Sequence, residues 1–296
     1  MQDWVVYLVY RCLEWIVNLV PESLAYKIGR AFGSLAYKLM SRRREIAEAN
    51  LKLAFDLDEQ ELADLTRAHF KHLGMVIIEF LRSPQLDKQQ VEEIVEIEGQ
   101  EYLDAARQRE EGIVIFTGHF GNWELLGICL TLMGLPMNAL AKNQSNELIN
   151  QHILKNRQLT GAKVFANKGM VLKKAYQALK KGEALYVIGD QKARTAEEYI
   201  KLFGVRATVA LGTVDLAART NSWILPIYLP RIEEGKYRLL IKEPIKVQGK
   251  LAKDEKIEVM QDLHSSLEEV IKEYPQQWLW IHRRWHFSPD LEEELY

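Results

Sequence analysis

The chain has 296 residues, 48% of them hydrophobic and 27% charged, with a formal net charge of −2. That length suits one hydrophobic core with a small appendage, and that composition excludes a disordered chain. The near-neutral charge gives no electrostatic case for nucleic acid. Cys12 and Cys129, the two cysteines, lie in apolar segments, which argues for a reducing compartment without a disulfide framework. No Cys/His spacing suits zinc, so no metal is expected.

Trp4–Val20, WVVYLVYRCLEWIVNLV, is strongly apolar but carries Arg11, Glu14 and Asn18. A clean span needs about 20 apolar residues with few charges, and no small-residue cleavage site follows to mark a signal peptide. Arg11 and Glu14, three apart, can share a helix face and leave Trp4, Tyr7, Leu8, Trp15 and Leu19 elsewhere around it. The segment reads as a helix lying in or on a bilayer surface, its tryptophans and tyrosines suited to the interface. Arg42, Arg43 and Arg44 are available for anionic head groups. A core helix of a soluble protein is the plainer reading of the same pattern.

Pro21-Glu22-Ser23 breaks that helix. Ser23–Met40 carries a small-residue stripe of Ala25, Gly29, Ala31, Gly33 and Ala36, which predicts close helix packing. Arg42–Leu53 continues helically, and Asp58–Arg82 forms another amphipathic helix stopped by Ser83-Pro84. Residues 1–95 are therefore expected to be an N-terminal helical, membrane-associating region.

Residues 96–296 change character. Strands are expected at Val95–Ile97, Ile113–Phe116, Met137–Ala141, Val164–Phe165, Ala184–Ile188, Trp223–Leu229 and Tyr237–Ile241. Helices are expected at Gln100–Gln108, Trp123–Met133, Glu147–Leu159, Met170–Lys180, Thr208–Ala218 and Ile257–Glu273, and Trp278–Ile281 is strand-like. This alternation predicts an α/β fold, with a mostly parallel central sheet flanked by helices and the N-terminal membrane-binding segment appended. Chemistry in such sheets gathers beyond the strand C-termini. His119 and Asp190 both occupy that kind of position.

In EGIVIFTGHFGNWELLG, a short apolar strand empties into a Gly-bounded turn carrying His119, and Glu124 follows five residues later in the first turn of a helix. A carboxylate reaching back to one ring nitrogen leaves the other free as a base and stabilises the imidazolium that forms. Gly118 and Gly121 let a substrate approach the backbone, and N–H groups at the helix start can stabilise an oxyanion. The chain has no Gly-x-Ser-x-Gly elbow, no cysteine in an electropositive turn and no His-Glu-x-x-His. The base is therefore expected to activate a hydroxyl or water brought from outside. Such an isolated pair can equally be structural.

Five blocks occur in order: Gly118-His119-Phe120-Gly121-Asn122-Trp123-Glu124, Lys142-Asn143-Gln144-Ser145-Asn146-Glu147-Leu148-Ile149, Gly189-Asp190-Gln191, Leu202-Phe203-Gly204 and Trp280-Ile281-His282-Arg283-Arg284-Trp285. This set resembles the bacterial lipid A late acyltransferase family, the lauroyl and myristoyl transferases within the wider glycerolipid acyltransferase superfamily. The resemblance runs from the N-terminal helix through Phe287.

The resemblance implies acyl transfer. His119 would take the proton of a lipid hydroxyl as its oxygen attacks a thioester of acyl carrier protein or coenzyme A, and Glu124 would orient His119. No bound cofactor is implied. Lys142 and Asn146 stand where the family has Arg-x-x-x-Asn. Lysine keeps the charge but not the planar fork. Asp190 and Gln191 match the family's block beyond the next strand, and Leu202 departs from its Phe-Phe-Gly loop, leaving Phe203 to shape an acyl groove. Arg283 and Arg284 would meet a phosphorylated sugar lipid or the carrier's phosphopantetheine. The expected partners are acyl carrier protein and a membrane lipid acceptor, at the cytoplasmic face of the inner membrane. A glycosylated phospholipid of the phosphatidylinositol mannoside type, or a lysophospholipid, is the alternative acceptor. A non-catalytic membrane scaffold is the third reading.

Overall fold

The computed structural model describes residues 2–140, 144–159, 161–165, 170–193, 197–291 and 295–296. Four helices come first: α1 (Gln2–Leu19), α2 (Glu22–Leu39), α3 (Ser41–Ala54) and α4 (Glu59–Arg82). Asp58 opens α4 with a reciprocal cap, its side chain accepting from the Glu61 amide while Glu61 accepts from the Asp58 amide. The small-residue stripe of α2 meets α4. A Cβ on Gly33 would lie 2.2 Å from the Phe70 carbonyl oxygen, and one on Gly74 only 2.0 Å from that of Gly29. The two backbones therefore approach as closely as side-chain-free positions allow.

The remaining elements are α5 (Lys88–Ile94), β1 (Val95–Glu98), α6 (Gln100–Gln108), β2 (Ile113–Thr117), α7 (Trp123–Leu132), β3 (Met137–Leu140), α8 (Glu147–Leu159) and β4 (Lys163–Phe165). They continue with α9 (Val171–Lys180), β5 (Ala184–Ile188), β6 (Tyr199–Leu202), β7 (Val205–Thr208), α10 (Gly212–Thr220), β8 (Trp223–Tyr228), β9 (Arg231–Glu233), β10 (Lys236–Ile241), β11 (Ile245–Lys246) and α11 (Lys253–Glu273). The main sheet runs β1-β10-β8-β2-β5-β3-β4, with β11 beside β8 and β9 beside β10. From β8 through β2, β5 and β3 to β4 every pairing is parallel, and β10 against β8 is antiparallel. The expected mostly parallel sheet flanked by helices is what forms.

β2 is buried along its whole length between β5 and β8. Its alternate residues serve two cores. Val114 and Phe116 pack with residues of α9, α10 and α11 on one face, and Ile113 and Ile115 pack with residues of α6 and α7 on the other. Ala47, Leu51, Leu62 and Phe70 of the N-terminal helices belong to the first of these cores.

Two expected elements differ. Thr208, expected to open a helix, instead ends Val205–Thr208, the second strand of a β6–β7 hairpin in which Phe203 and Gly204 both take positive φ and turn the chain. α10 then begins at Gly212. Trp278–Ile281 forms no strand and contributes only an isolated bridge between Phe120 and Trp278. Within the region expected to be helical, α5 forms a separate short helix, capped reciprocally by Asp87 and Gln90.

In α1, Arg11 and Glu14 pair at 2.5 Å; Arg11 stays exposed while Glu14 is buried and also accepts from His152 and Asn156 of α8. Trp4, Leu8, Val9, Trp15 and Leu19 stay exposed, as do Phe32, Leu35 and Leu39 of α2. Among the described residues no helix is long and apolar enough to cross a membrane.

Candidate active site

Two parallel strands, β2 and β5, end side by side and deliver the central pair. His119 follows β2 and Asp190 follows β5. The Asp190 carboxylate takes the His119 ring through Oδ1, 2.8 Å from Nδ1, and the His119 backbone amide through Oδ2, also 2.8 Å. Trp278 Nε1–H donates to the same Oδ2 at 2.8 Å. Asp190 is buried and His119 is partly open to a cleft. Because an ionised carboxylate only accepts, Nδ1 carries the ring proton and Nε2 keeps a free lone pair.

The electrostatics follow from this contact. Burial would raise the Asp190 pKa, but the His119 charge and the three donated hydrogen bonds hold it well below the ordinary carboxylate range. Burial would lower the His119 pKa, yet the Asp190 charge and hydrogen bond, with a smaller contribution from the Glu124 charge, raise it above 6.5.

The carboxylate expected on His119 is thus Asp190, not Glu124. Glu124 projects from the first turn of α7 and is held by Arg157 of α8, with Nε–Oε2 at 3.1 Å and Nη2–Oε1 at 2.6 Å. A histidine outside the helix and a carboxylate inside its first turn point along different directions, and Asp190 already fills the Nδ1 side of the ring. Both Glu124 and Arg157 line a cleft of about 460 Å³ that His119 and Gln191 also face. Its other walls are mostly apolar and include Ile128, Met137, Ala139, Val164 and Ile188. Gln191 Nε2 lies 3.4 Å from His119 Nε2, beside the free lone pair.

The turn itself is tightly tied. Gly121 sits at φ +59°, and a Cβ there would lie 2.1 Å from the Leu229 carbonyl oxygen. Its amide donates to the Gln277 carbonyl, the Asn122 amide to the Leu229 carbonyl, and the Asn122 side chain caps the Leu125 amide. These donors are occupied, so the oxyanion role expected of the helix start does not belong to them.

Other sequence-derived candidates fall elsewhere. Lys142 lies outside the described residues. Asn146 caps α8, accepting from the Leu148 and Ile149 amides, and donates to the Asp3 carbonyl. Its amide group is spent on backbone rather than presented to a ligand. Phe203 forms the hairpin tip and packs among Phe55, Trp278, Trp280 and Trp285. It supports the segment behind Asp190 and does not line the cleft. Arg284 is buried and donates to the Thr208 carbonyl at 2.8 Å, with burial pushing its pKa down to about 10. It cannot meet a phosphate from solvent, because the apolar run before it carries it into the core. Arg283 remains half-exposed over the Tyr296 ring and away from the cleft.

Arg157 was missed because a single arginine in a polar helix carries no motif. Among the described residues no cluster of three or more His, Cys, Asp or Glu is placed to hold a metal ion.

Residues 1–286 match the family described as bacterial lipid A biosynthesis acyltransferase. The chain is similar to the lipid A biosynthesis palmitoleoyltransferase of Escherichia coli K12, at 28% identity over 267 residues covering 87% of this chain and 83% of the relative. It is similar to the lauroyltransferase of the same organism at 27% identity over 258 residues, covering 85% and 81%. A solved 1-acyl-sn-glycerophosphate acyltransferase from Thermotoga maritima matches 85% of this chain and 97% of its own, with a TM-score of 0.40 at 16% identity.

Proposed function

We infer the reaction from two premises: the chain belongs to the bacterial lipid A biosynthesis acyltransferase family, and its Asp190–His119 pair presents imidazole Nε2, with the Gln191 amide 3.4 Å away, to a largely apolar cleft. It is an O-acyltransferase acting on a lipid A-type acceptor. His119 Nε2 takes the proton of an acceptor hydroxyl as that oxygen bonds to the carbonyl carbon of an acyl thioester. The tetrahedral intermediate then expels the thiolate, and the His119 imidazolium returns the proton to sulfur. Asp190 holds the ring in the productive tautomer throughout and balances the imidazolium. The acyl chain lies along the apolar cleft wall, and Gln191 offers an amide donor beside the point of attack. The Arg157–Glu124 pair forms the polar rim of the cleft. The donor is an acyl carrier protein or coenzyme A thioester, and no bound cofactor takes part.

The observation that carries this reading is the 2.8 Å contact between Asp190 and His119 Nδ1 at the end of two parallel strands. The test is to give purified protein a labelled acyl carrier protein thioester with, separately, a Kdo-bearing lipid A precursor, a phosphatidylinositol mannoside and a lysophospholipid. Acylation of the lipid A precursor is expected by product mass. Transfer confined to a phospholipid would overturn the acceptor, and no transfer to any of them would favour a scaffold.

The exposed apolar side chains of α1 and α2 support seating on a membrane surface, which in this reading is the cytoplasmic face of the inner membrane. They form an apolar surface on which Glu14 is turned inward and Arg11 remains exposed, available to anionic head groups. Trp15→Glu with Leu19→Glu replaces two exposed side chains, so folding should be retained while co-sedimentation with anionic phospholipid vesicles falls. Unchanged sedimentation would remove α1 as the anchor.

A further inference from the structure

Behind the His119 turn lies a buried ionic cluster that the scheme above does not use. Arg231 of β9 and Glu79 of α4 form a two-pronged pair, with Nε–Oε1 at 2.8 Å and Nη2–Oε2 at 2.6 Å, both side chains buried. Taking two charges out of water is unfavourable by several kcal/mol per ion, so hydrogen bonds with good geometry must offset it. Two of them reach the catalytic turn. Arg231 Nη1 lies 2.8 Å from His72 Nδ1. A guanidinium only donates, so Nδ1 accepts and His72 carries its proton on Nε2. That Nε2–H donates to the Gly121 carbonyl at 3.1 Å. Glu79 Oε2 in turn accepts the Asn122 side-chain amide at 2.6 Å. Gln277 completes the enclosure: its side chain exchanges hydrogen bonds with the Arg231 backbone, and its carbonyl accepts the Gly121 amide.

We propose that His72, backed by the Glu79–Arg231 pair, is a positioning residue for His119. Its Nε2–H fixes the Gly121 carbonyl, two residues beyond the base, so that the turn keeps the imidazole in line with Asp190. The inference rests on the reading of His119 as the base. The physical need arises from Gly121. Glycine visits both signs of φ with little penalty, so its sequence does not by itself choose one orientation for the peptide that follows. That peptide is held at both ends, its N–H by the Leu229 carbonyl and its carbonyl by His72 of α4. Burial, reinforced by the Arg231 charge, keeps His72 neutral by holding its pKa well below 6.5. The two histidines thus occupy opposite tautomers, Nδ1–H at His119 and Nε2–H at His72.

The test compares two amide variants. His72→Asn places an amide where Nδ1 was and keeps an acceptor for Arg231, but it does not reach Gly121. His72→Gln reaches the Nε2 position and can donate to the Gly121 carbonyl. With an acyl carrier protein thioester and a lipid A precursor, His72→Asn should lower kcat by about 10²-fold, the effect of roughly 1 Å of misplacement, with KM unchanged. Its low-pH limb of kcat should move to lower pH, because a ring that slips from Asp190 loses the interaction that raises its pKa. His72→Gln should restore both rate and limb. Nitrogen-15 NMR of the resting wild-type protein should show His72 as the neutral Nε2–H tautomer, a reading independent of turnover and of how the variants fold. A His72 that is cationic or protonated on Nδ1 overturns the proposal, as does folded His72→Asn with wild-type kcat and limb. If His119→Ala remains active, the base assignment fails instead. An inactive His119→Ala beside an unaffected His72→Asn removes the positioning role alone.

Discussion

Replacing His119 by alanine is expected to lower acyl transfer by about 10²–10⁴-fold, the usual contribution of a positioned general base, with no loss of fold. The side chain is partly open to the cleft, and the ties of its turn come from other groups: the His119 backbone amide to Asp190, its carbonyl to the Leu279 amide, and the Gly121 and Asn122 amides to Gln277 and Leu229. Deleting the imidazole therefore leaves the turn's backbone bonds in place. Thioester consumption and acceptor acylation should fall together. Near-normal turnover in a folded variant would remove His119 as the base.

Asp190→Asn should fall by a comparable factor, about 10²–10⁴-fold, for a reason written in its hydrogen bonds. Oδ2 accepts from the His119 amide and from Trp278 Nε1, so the asparagine oxygen will take that place and leave its NH₂ against the ring. An NH₂ can only donate there. His119 Nδ1 must then accept, its proton moves to Nε2, and the lone pair needed for catalysis is gone. The pH dependence supplies a second readout. A base works only when neutral, so wild-type activity should fall as pH drops through the His119 pKa, which lies above 6.5. Without the carboxylate the interaction that raises that pKa is removed while burial still lowers it. Residual activity in Asp190→Asn should therefore persist to lower pH than in the wild type. A limb left in place would mean that some other group controls it. Glu124→Gln is a useful contrast, since Glu124 touches Arg157 rather than the ring.

Much of the architecture was legible from local pattern. The run Ile113–Phe116 reads as a buried strand because every residue in it is apolar, and it sits at the sheet centre with both faces covered. The stripe of glycines and alanines in α2 reads as a close-packing face, and Gly74 supplies the opposing surface. The β6–β7 hairpin was not legible. Its turn places Phe203, an ordinary aromatic, at positive φ, a conformation stabilised by packing against tryptophans some eighty residues away.

The His119 turn divides in the same way. Sequence alone determined that His119 ends a strand between glycines, because that is a statement about adjacent residues. It also placed Asp190 at the end of another strand. Only the tertiary structure decided which carboxylate the ring would take. β2 and β5 are neighbours in the sheet, which brings residues 71 positions apart to 2.8 Å, while Glu124, five positions away, is turned by its helix toward Arg157. The same holds for Arg284, which the resemblance assigned to a phosphate and which the fold buries against the Thr208 carbonyl. Local spacing limits where a side chain can start, but the packing of distant strands and helices settles what it meets.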